Sequence, residues 1–222
     1  MTALDCNDAP IDVRGEIITL LPERAAFWHR TATLLVADPH WGKAATFRAS
    51  GIPVPSGTTR DAVDRLASAA TRTLARRIVF LGDLLHAREG RSARMFESLA
   101  EWRLSNTGLE VVLVRGNHDR RAGDPPGELK IDCVNAPYLD GPFIFTHHPI
   151  KDEHGYVIAG HVHPGITLRG PARQRERLPC FFFGSDYGIL PAFGDFTGLA
   201  DVEPAEGDRV YAVADRGIMQ VY

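Results

Sequence analysis

Five short segments place oxygen and imidazole donors where a chain would otherwise make ordinary turns. They are Asp38-x-His40, Gly82-Asp83, Gly116-Asn117-His118-Asp119, His147-His148 and Gly160-His161-x-His163. The central one has the widest repertoire: Asn offers a neutral oxygen to a metal, His a proton or a nitrogen ligand, and Asp a carboxylate. Asp38, His40, Asp83, Asn117, His147, His161 and His163 together make seven O and N donors without a thiolate. Such a set suits divalent ions of intermediate hardness such as Mn²⁺, Fe²⁺ or Zn²⁺. Seven donors exceed one coordination sphere and a carboxylate can bridge, so the set matches two cations forming a clamp for phosphate esters. Singly, each segment has a plain structural explanation as an Asx turn or a surface pair. Their shared position singles them out.

That position is the end of a strand. Thr33–Ala37, Ile78–Leu81, Glu110–Val114, Phe143–Thr146 and Tyr156–Ala159 are short β-prone apolar runs, and each leads into one of the five segments. Carboxyl ends of strands are where open α/β sheets place their sites. Between the first three runs, Val63, Leu66, Ala67, Ala70 and Leu74 fall at helical spacing. This predicts a helix capped by Thr58 or Thr59 and ending at Arg76-Arg77. A second helix is expected over Ser92–Ser105, and a short one over Trp41–Ser50. Glu16–Leu21 and Ala25–His29 read as a hairpin, and residues 1–13 as a loose N-terminus. After Pro125-Pro126 only short strands separated by Gly, Pro and Asp are expected, without a helix. The pattern implies an α/β core followed by a second sheet.

The composition removes several function classes. A net charge of −3 over 222 residues creates no global basic field. Any grip on a polyanion must come from local arginines or bound cations. Cys6, Cys133 and Cys180 form no CxxC pair and suggest no disulfide framework, which points to a reducing cytoplasm. The N-terminus lacks the pattern of a signal peptide, and no apolar run approaches a membrane span. One domain over residues 1–222 is expected, with Pro125-Pro126 the one place to consider a boundary.

The order of the five segments resembles that of the calcineurin-like metallophosphoesterases, over about half the chain. The resemblance implies a four-layer αββα sandwich. It also implies that Asp38, His40, Asp83 and His163 hold one metal, while Asp83, Asn117, His147 and His161 hold the other. The doublet leaves His147 and His148 as rivals, and His147 is preferred because the residue before the Pro varies in similar sequences. A narrower resemblance covers nearly the whole chain, through Leu20-Leu-Pro-Glu-Arg24, Gly42-Lys-Ala-Ala-Thr-Phe47, Gly51-Ile-Pro-Val-Pro-Ser-Gly-Thr58, Gly82-Asp-Leu-Leu-His-Ala-Arg88, Val114-Arg-Gly-Asn-His-Asp-Arg120 and Leu190-Pro-Ala-Phe-Gly194. These look like the DNA ligase-associated metallophosphoesterases, bacterial proteins linked to DNA repair. That likeness implies Mn²⁺-dependent phosphodiester hydrolysis, single-stranded DNA as substrate and DNA ligase or helicase repair proteins as partners. The rival expectations are a phosphodiesterase or phosphatase for a small nucleotide or nucleotide-lipid, and a non-catalytic scaffold.

Beyond the ligands, His118 lies one residue past Asn117 and is the expected general acid for the leaving oxygen. His86 is a second candidate, favoured over an exposed loop His by the resemblance. Asp119 either fixes the His118 tautomer or caps a helix. Arg88, Arg120 and Arg121 are the expected substrate grip, with Arg91 and Arg115 beside them. Arg169, Arg173, Arg175 and Arg177 read equally well as a phosphate grip or a solvated hairpin tip. Trp41 and Phe47 read as core more readily than as base-stacking platforms. Leu190 to Gly198 has no physical explanation at this level.

Overall fold

The computed structural model describes residues 7–54, 57–171, 174–215 and 217–222. Its first sheet begins as an antiparallel meander of β1 (Ala9–Val13), β2 (Glu16–Leu21), β3 (Ala25–Trp28) and β4 (Thr33–Val36). It continues in parallel through β5 (Arg77–Phe80), β6 (Glu110–Val114) and β7 (Asp132–Val134). The switch follows from the connections: parallel neighbours need a crossover, and helices supply it. The helices are α1 (Lys43–Ala49), α2 (Thr58–Thr73), α3 (Ala93–Ser105) and α4 (Asn117–Ala122).

The second sheet runs β14-β11-β12-β13-β10-β9-β8, from β8 (Tyr138–Asp140), β9 (Phe143–Phe145), β10 (Tyr156–Ala159), β11 (Pro164–Arg169), β12 (Arg175–Phe183), β13 (Tyr187–Ile189) and β14 (Ala200–Asp201). β15 (Arg209–Ala214) pairs with β12, and β16 (Gly217–Gln220) with β15.

The pleat divides the core. Leu34 and Val36 of β4, Ile78 and Phe80 of β5, and Val111 and Leu113 of β6 face Val63 and Leu66 of α2 and Met95, Leu99 and Trp102 of α3. The alternate residues Leu35, Val79, Val112 and Val114 face Phe143, Phe145, Ile158, Phe181 and Phe183 of the second sheet. The parallel strands are apolar on both faces because both are covered. Two sheets packed face to face confirm the expected α/β sandwich. Among the described residues, all four α-helices lie before Gly123, and α2, α3 and α4 share the core of the first sheet. The outer face of the second sheet carries Cys180, Phe182, Ile189 and Val210 under Val162, Ile166 and Val202.

Several local expectations need correction. Residues 9–13 are not loose; they pair with β2 in full register, and residues 1–6 lie outside the described residues. The helix expected from Thr58 or Thr59 to Arg76-Arg77 is α2, which starts after Gly57, not on a Thr cap, and stops at Thr73. Leu74 turns left-handed there (φ 55°), and Ala75 N–H reaches back to Ala70 O at 3.0 Å, a Schellman-like stop. This frees Arg77 to open β5. α4 realises the second reading of Asp119, a helix cap, and its first turn is the donor segment itself. Among the described residues, no helix is long and apolar enough to cross a membrane.

Candidate metal centre

The carboxyl ends of β4, β5 and β6 are adjacent, with Val36 opposite Phe80 and Phe80 opposite Leu113. Asp38, Asp83 and Asn117 follow directly. In the second sheet β9 and β10 are also parallel, Phe145 opposite Ile158, and His147 and His161 follow. Both sheets turn these ends to the same edge. Backbone bonds lace the loops: Asp38 N–H to Gly82 O (3.3 Å), His40 N–H to Asp83 O (2.9 Å) and Gly160 N–H to His147 O (3.1 Å). His161 N–H donates to Asp38 Oδ2 across the sheets at 2.8 Å, and His118 N–H to Asp83 Oδ1 at 2.9 Å.

Five of the seven donor residues hold a left-handed backbone: Asp38 (φ 51°), His40 (48°), Asp83 (52°), His161 (68°) and His163 (52°). That region is uncommon for side-chain-bearing residues and concentrates where structure over-determines it. Gly116 is also dictated by the site, since a Cβ there would lie 2.2 Å from Asp83 Oδ1 and 2.5 Å from Asp83 N.

The donor atoms converge, facing one another at 2.9 to 3.9 Å. His40 Nε2 is 3.9 Å from Asp83 Oδ2, and His163 Nε2 is 3.7 Å from Asp38 Oδ1. His147 Nε2 is 3.4 Å from Asp83 Oδ1 and 2.9 Å from Asn117 Oδ1. His161 Nδ1 lies 3.1 Å from His147 Nε2, and His40 Nε2 lies 3.3 Å from His163 Nε2. Asp38 Oδ1 is fully buried without a hydrogen-bond partner. A desolvated, unpaired carboxylate oxygen is costly unless a cation meets it. His147 Nδ1 donates to Leu81 O at 2.9 Å, which leaves its Nε2 lone pair toward the cluster. His148 is exposed, its ring 4.0 Å from that of His161, so His147 is the member of the doublet that points inward.

Burial sets the protonation states. It pushes the His40 imidazole down to about 2 against the opposing pull of Asp83. Burial also pushes His86 down to about 4, helped by the charge of His118. For Asp83 burial acts upward, but the hydrogen bond and charge of His147 and the His118 N–H prevail and bring it to about 2. Burial would lower His147, and Asp83 and Asp38 raise it instead. The set therefore favours neutral His40 and an ionised carboxylate, the forms that bind metal.

His118 and His86 sit against this cluster: their rings stack at 4.8 Å, and His86 Nδ1 is 3.3 Å from His40 Nδ1. His118 Nδ1 bonds the carbonyl of His86 at 2.6 Å, and its Nε2 is 3.9 Å from Asp83 Oδ2. The carbonyl of His86, not Asp119, therefore fixes the His118 tautomer. Asp119 is buried and accepts from Gly116 N–H (2.9 Å) and Leu85 N–H (3.0 Å), capping α4. Arg120 and Arg121 are exposed on α4, and Arg88 Nε donates to Arg121 O at 2.9 Å. Arg115 is held bidentately by Asp124, and Arg91 by the carbonyls of Ala122, Gly123 and Asp124. Arg169 and Arg175 end the exposed β11–β12 hairpin, Arg177 pairs with Asp201, and Arg173 lies outside the described residues. Trp41 is core, edge-on to Phe80.

Two features escaped sequence reasoning. Lys43 is half-buried three residues after His40, lowered by burial while Asp38 and Asp83 pull it upward; a lysine directly after the first donor pair was the available signal. The stretch Leu190 to Gly198 braces that pair from behind. Phe193 N–H bonds Ala37 O at 2.8 Å and Gly194 N–H bonds Asp38 O at 3.1 Å. A Cβ on Gly194 would lie 2.3 Å from Pro39 O, so only glycine lets the two backbones meet.

No family model matches the chain, and no curated protein does. Among solved structures, the Pseudomonas putida nuclease MPE superposes at a TM-score of 0.85 with 39% identity, covering 96% of this chain and 100% of that one. An E. coli phosphoesterase, YfcE, aligns at a TM-score of 0.41 with 17% identity, over 85% of this chain and 97% of its own. An Aquifex aeolicus protein of unknown function, AQ665, aligns at 0.40 with 15% identity, over 59% and 78%. Only the first supports an argument here.

Proposed function

The chain belongs to the metallophosphoesterase superfamily and is a metal-dependent phosphoric ester hydrolase, and from that premise we propose that it is a two-metal, manganese-dependent endonuclease for single-stranded DNA in bacterial DNA repair. The observation that carries the two-metal part is the buried, unpartnered Asp38 Oδ1 amid imidazole nitrogens. The groups Asp38, His40, His163 and Asp38, Asp83, His147 each bring three donor atoms within 4.8 Å of one another. On this proposal Asp38, His40, Asp83 and His163 hold one ion and Asp83, Asn117, His147 and His161 the other. The ions would supply positive charge to the phosphate oxygens and lower the pKa of the attacking water.

The chain's own residues do the remainder. Asp83, ionised at neutral pH, keeps both candidate ion positions within reach of one carboxylate. Protonated His118 donates through Nδ1 to the His86 carbonyl, so its Nε2 proton is free for the leaving oxygen. His86 backs that ring by stacking, and its depressed pKa keeps it from competing for the proton. Support for DNA as substrate comes from the nuclease neighbour and from the arginines beside the centre. The resemblance in sequence supports DNA ligase or helicase repair proteins as partners.

The test is to incubate metal-free protein with Mn²⁺, Zn²⁺, Ni²⁺ or Mg²⁺ and offer circular and linear single-stranded DNA. Cleavage of the circle with Mn²⁺ is expected. Attack on the linear strand alone would make the enzyme an exonuclease, and hydrolysis of mononucleotide esters alone would replace DNA with a small substrate.

A further inference from the structure

An open groove of about 200 Å³ runs outward from the metal centre. Its inner end is formed by Asn117 and His147, candidate donors to the same ion. Farther out, Pro137 and Ile150 lie along it, both exposed, Ile150 at 44%. Arg115, Arg120 and the exposed His148 also line it.

The lining is asymmetric in use as well as composition. Arg115 is tied down by Asp124 at 2.7 Å through two nitrogens and by Asn135 at 3.3 Å. Its charge is largely spent on that pair. Arg120, one turn along α4, is exposed beside the apolar surface. On the far side Thr146 Oγ1 donates to His148 O at 2.7 Å, fixing the turn that carries His147 and leads to Ile150.

A fixed apolar surface, beginning at the metals and edged by an exposed guanidinium, has the chemistry of one nucleoside with its phosphate. The geometry points to this groove as the subsite for the nucleoside on the Asn117–His147 side of the scissile phosphate. The base lies on Ile150 and Pro137, and its outer phosphate meets Arg120. A base paired in a duplex cannot leave its stack to reach that surface without breaking its pair. The groove thereby selects single strands. This assignment rests on the nuclease proposal above.

The experiment uses Mn²⁺-loaded protein and single-stranded oligonucleotides in which one base at a time is replaced by an abasic tetrahydrofuran, with cleavage mapped at each linkage. Removing the base on one side of a linkage loses its apolar contact with the groove and should slow cleavage there about tenfold. Removal on the other side should matter less. Ile150→Ser should lose this dependence, cutting intact and abasic strands at similar rates, while its hydrolysis of bis-p-nitrophenyl phosphate and its thermal midpoint stay near wild type. Equal sensitivity to base removal in both proteins would overturn the subsite. If the wild type cuts the nitrophenyl ester but no DNA, the nuclease proposal itself fails and the subsite with it.

Discussion

Asp83 and Arg88 are separated by one short loop, yet the fold treats them in opposite ways. Asp83 is buried, left-handed, wedged against Gly116 and hydrogen-bonded by a backbone N–H. Arg88 is exposed and spends its Nε on the carbonyl of Arg121. The same contrast separates the whole donor cluster from the arginines around it. Donor atoms must sit where an ion needs them, and the backbone of both sheets is bent to put them there. Arginines that meet a flexible strand need only supply charge at the rim, and several are used to tie loops together.

If that contrast is real, damage to the two regions should differ in size and kind. Asp83→Ala should abolish measurable hydrolysis, a loss of at least about 10³-fold if Asp83 is shared by two ions as proposed. Calorimetric titration of the variant with Mn²⁺ should show weakened binding. His118→Ala should retain metal binding but lose about 10²–10⁴-fold on an unactivated diester. A nitrophenyl ester, with its good leaving group, should suffer much less; equal losses on both would sink the general-acid role.

Asp119→Ala removes the partner of two buried N–H groups and should cost about 2 kcal/mol, read as a lower thermal midpoint. Acid should act in the same direction on metal-free protein. Folded, His40 stays neutral to about 2 and His86 to about 4, while each takes a proton near 6.5 once unfolded. Unfolding therefore takes up protons below pH 6.5, and stability falls as pH drops through that window toward 4. His147, with its raised pKa, has the opposite sign and weakens stability as pH rises, but it stands against His29, His40, His86, His148 and His161, all lowered by burial. Urea midpoints of metal-free protein should be lower at pH 5 than at 7.5.

The smallest effect belongs to the rim. Arg120→Ala should leave nitrophenyl ester hydrolysis intact and reduce the slope of log affinity for single-stranded DNA against log salt by about 0.7. An unchanged slope would show that Arg120 meets no phosphate.

The donor segments were legible because apolar runs mark strand ends and because Asp, Asn and His are rare in such company. The crossover order of β4 to β6 was legible for the same reason. Less visible was anything depending on contacts distant in sequence. Asp119 reads equally well as orienter or cap until Leu85 N–H is seen beside it. Gly194 looks like one more turn residue until Pro39 is placed against it. The stop of α2 at Thr73 was missed because Leu74 fits the helical spacing, while the chain needed a left-handed residue there. The outer helical layer that the resemblance implied over the second sheet has no α-helix among the described residues, where Val162 and Val202 cover that face instead.

The left-handed backbone at Asp38, His40, Asp83, His161 and His163 has a consequence for how this centre can change. Asp, Asn and His are the side-chain-bearing residues that tolerate this conformation best. The backbone thus filters the alphabet of possible ligands before any metal is encountered. Exchange of a donor for Glu or Cys would have to overcome the loop's own geometry as well as the altered coordination. Divergence in metal preference is channelled instead into the residues around the donors, Lys43 and the Leu190–Gly198 brace first among them.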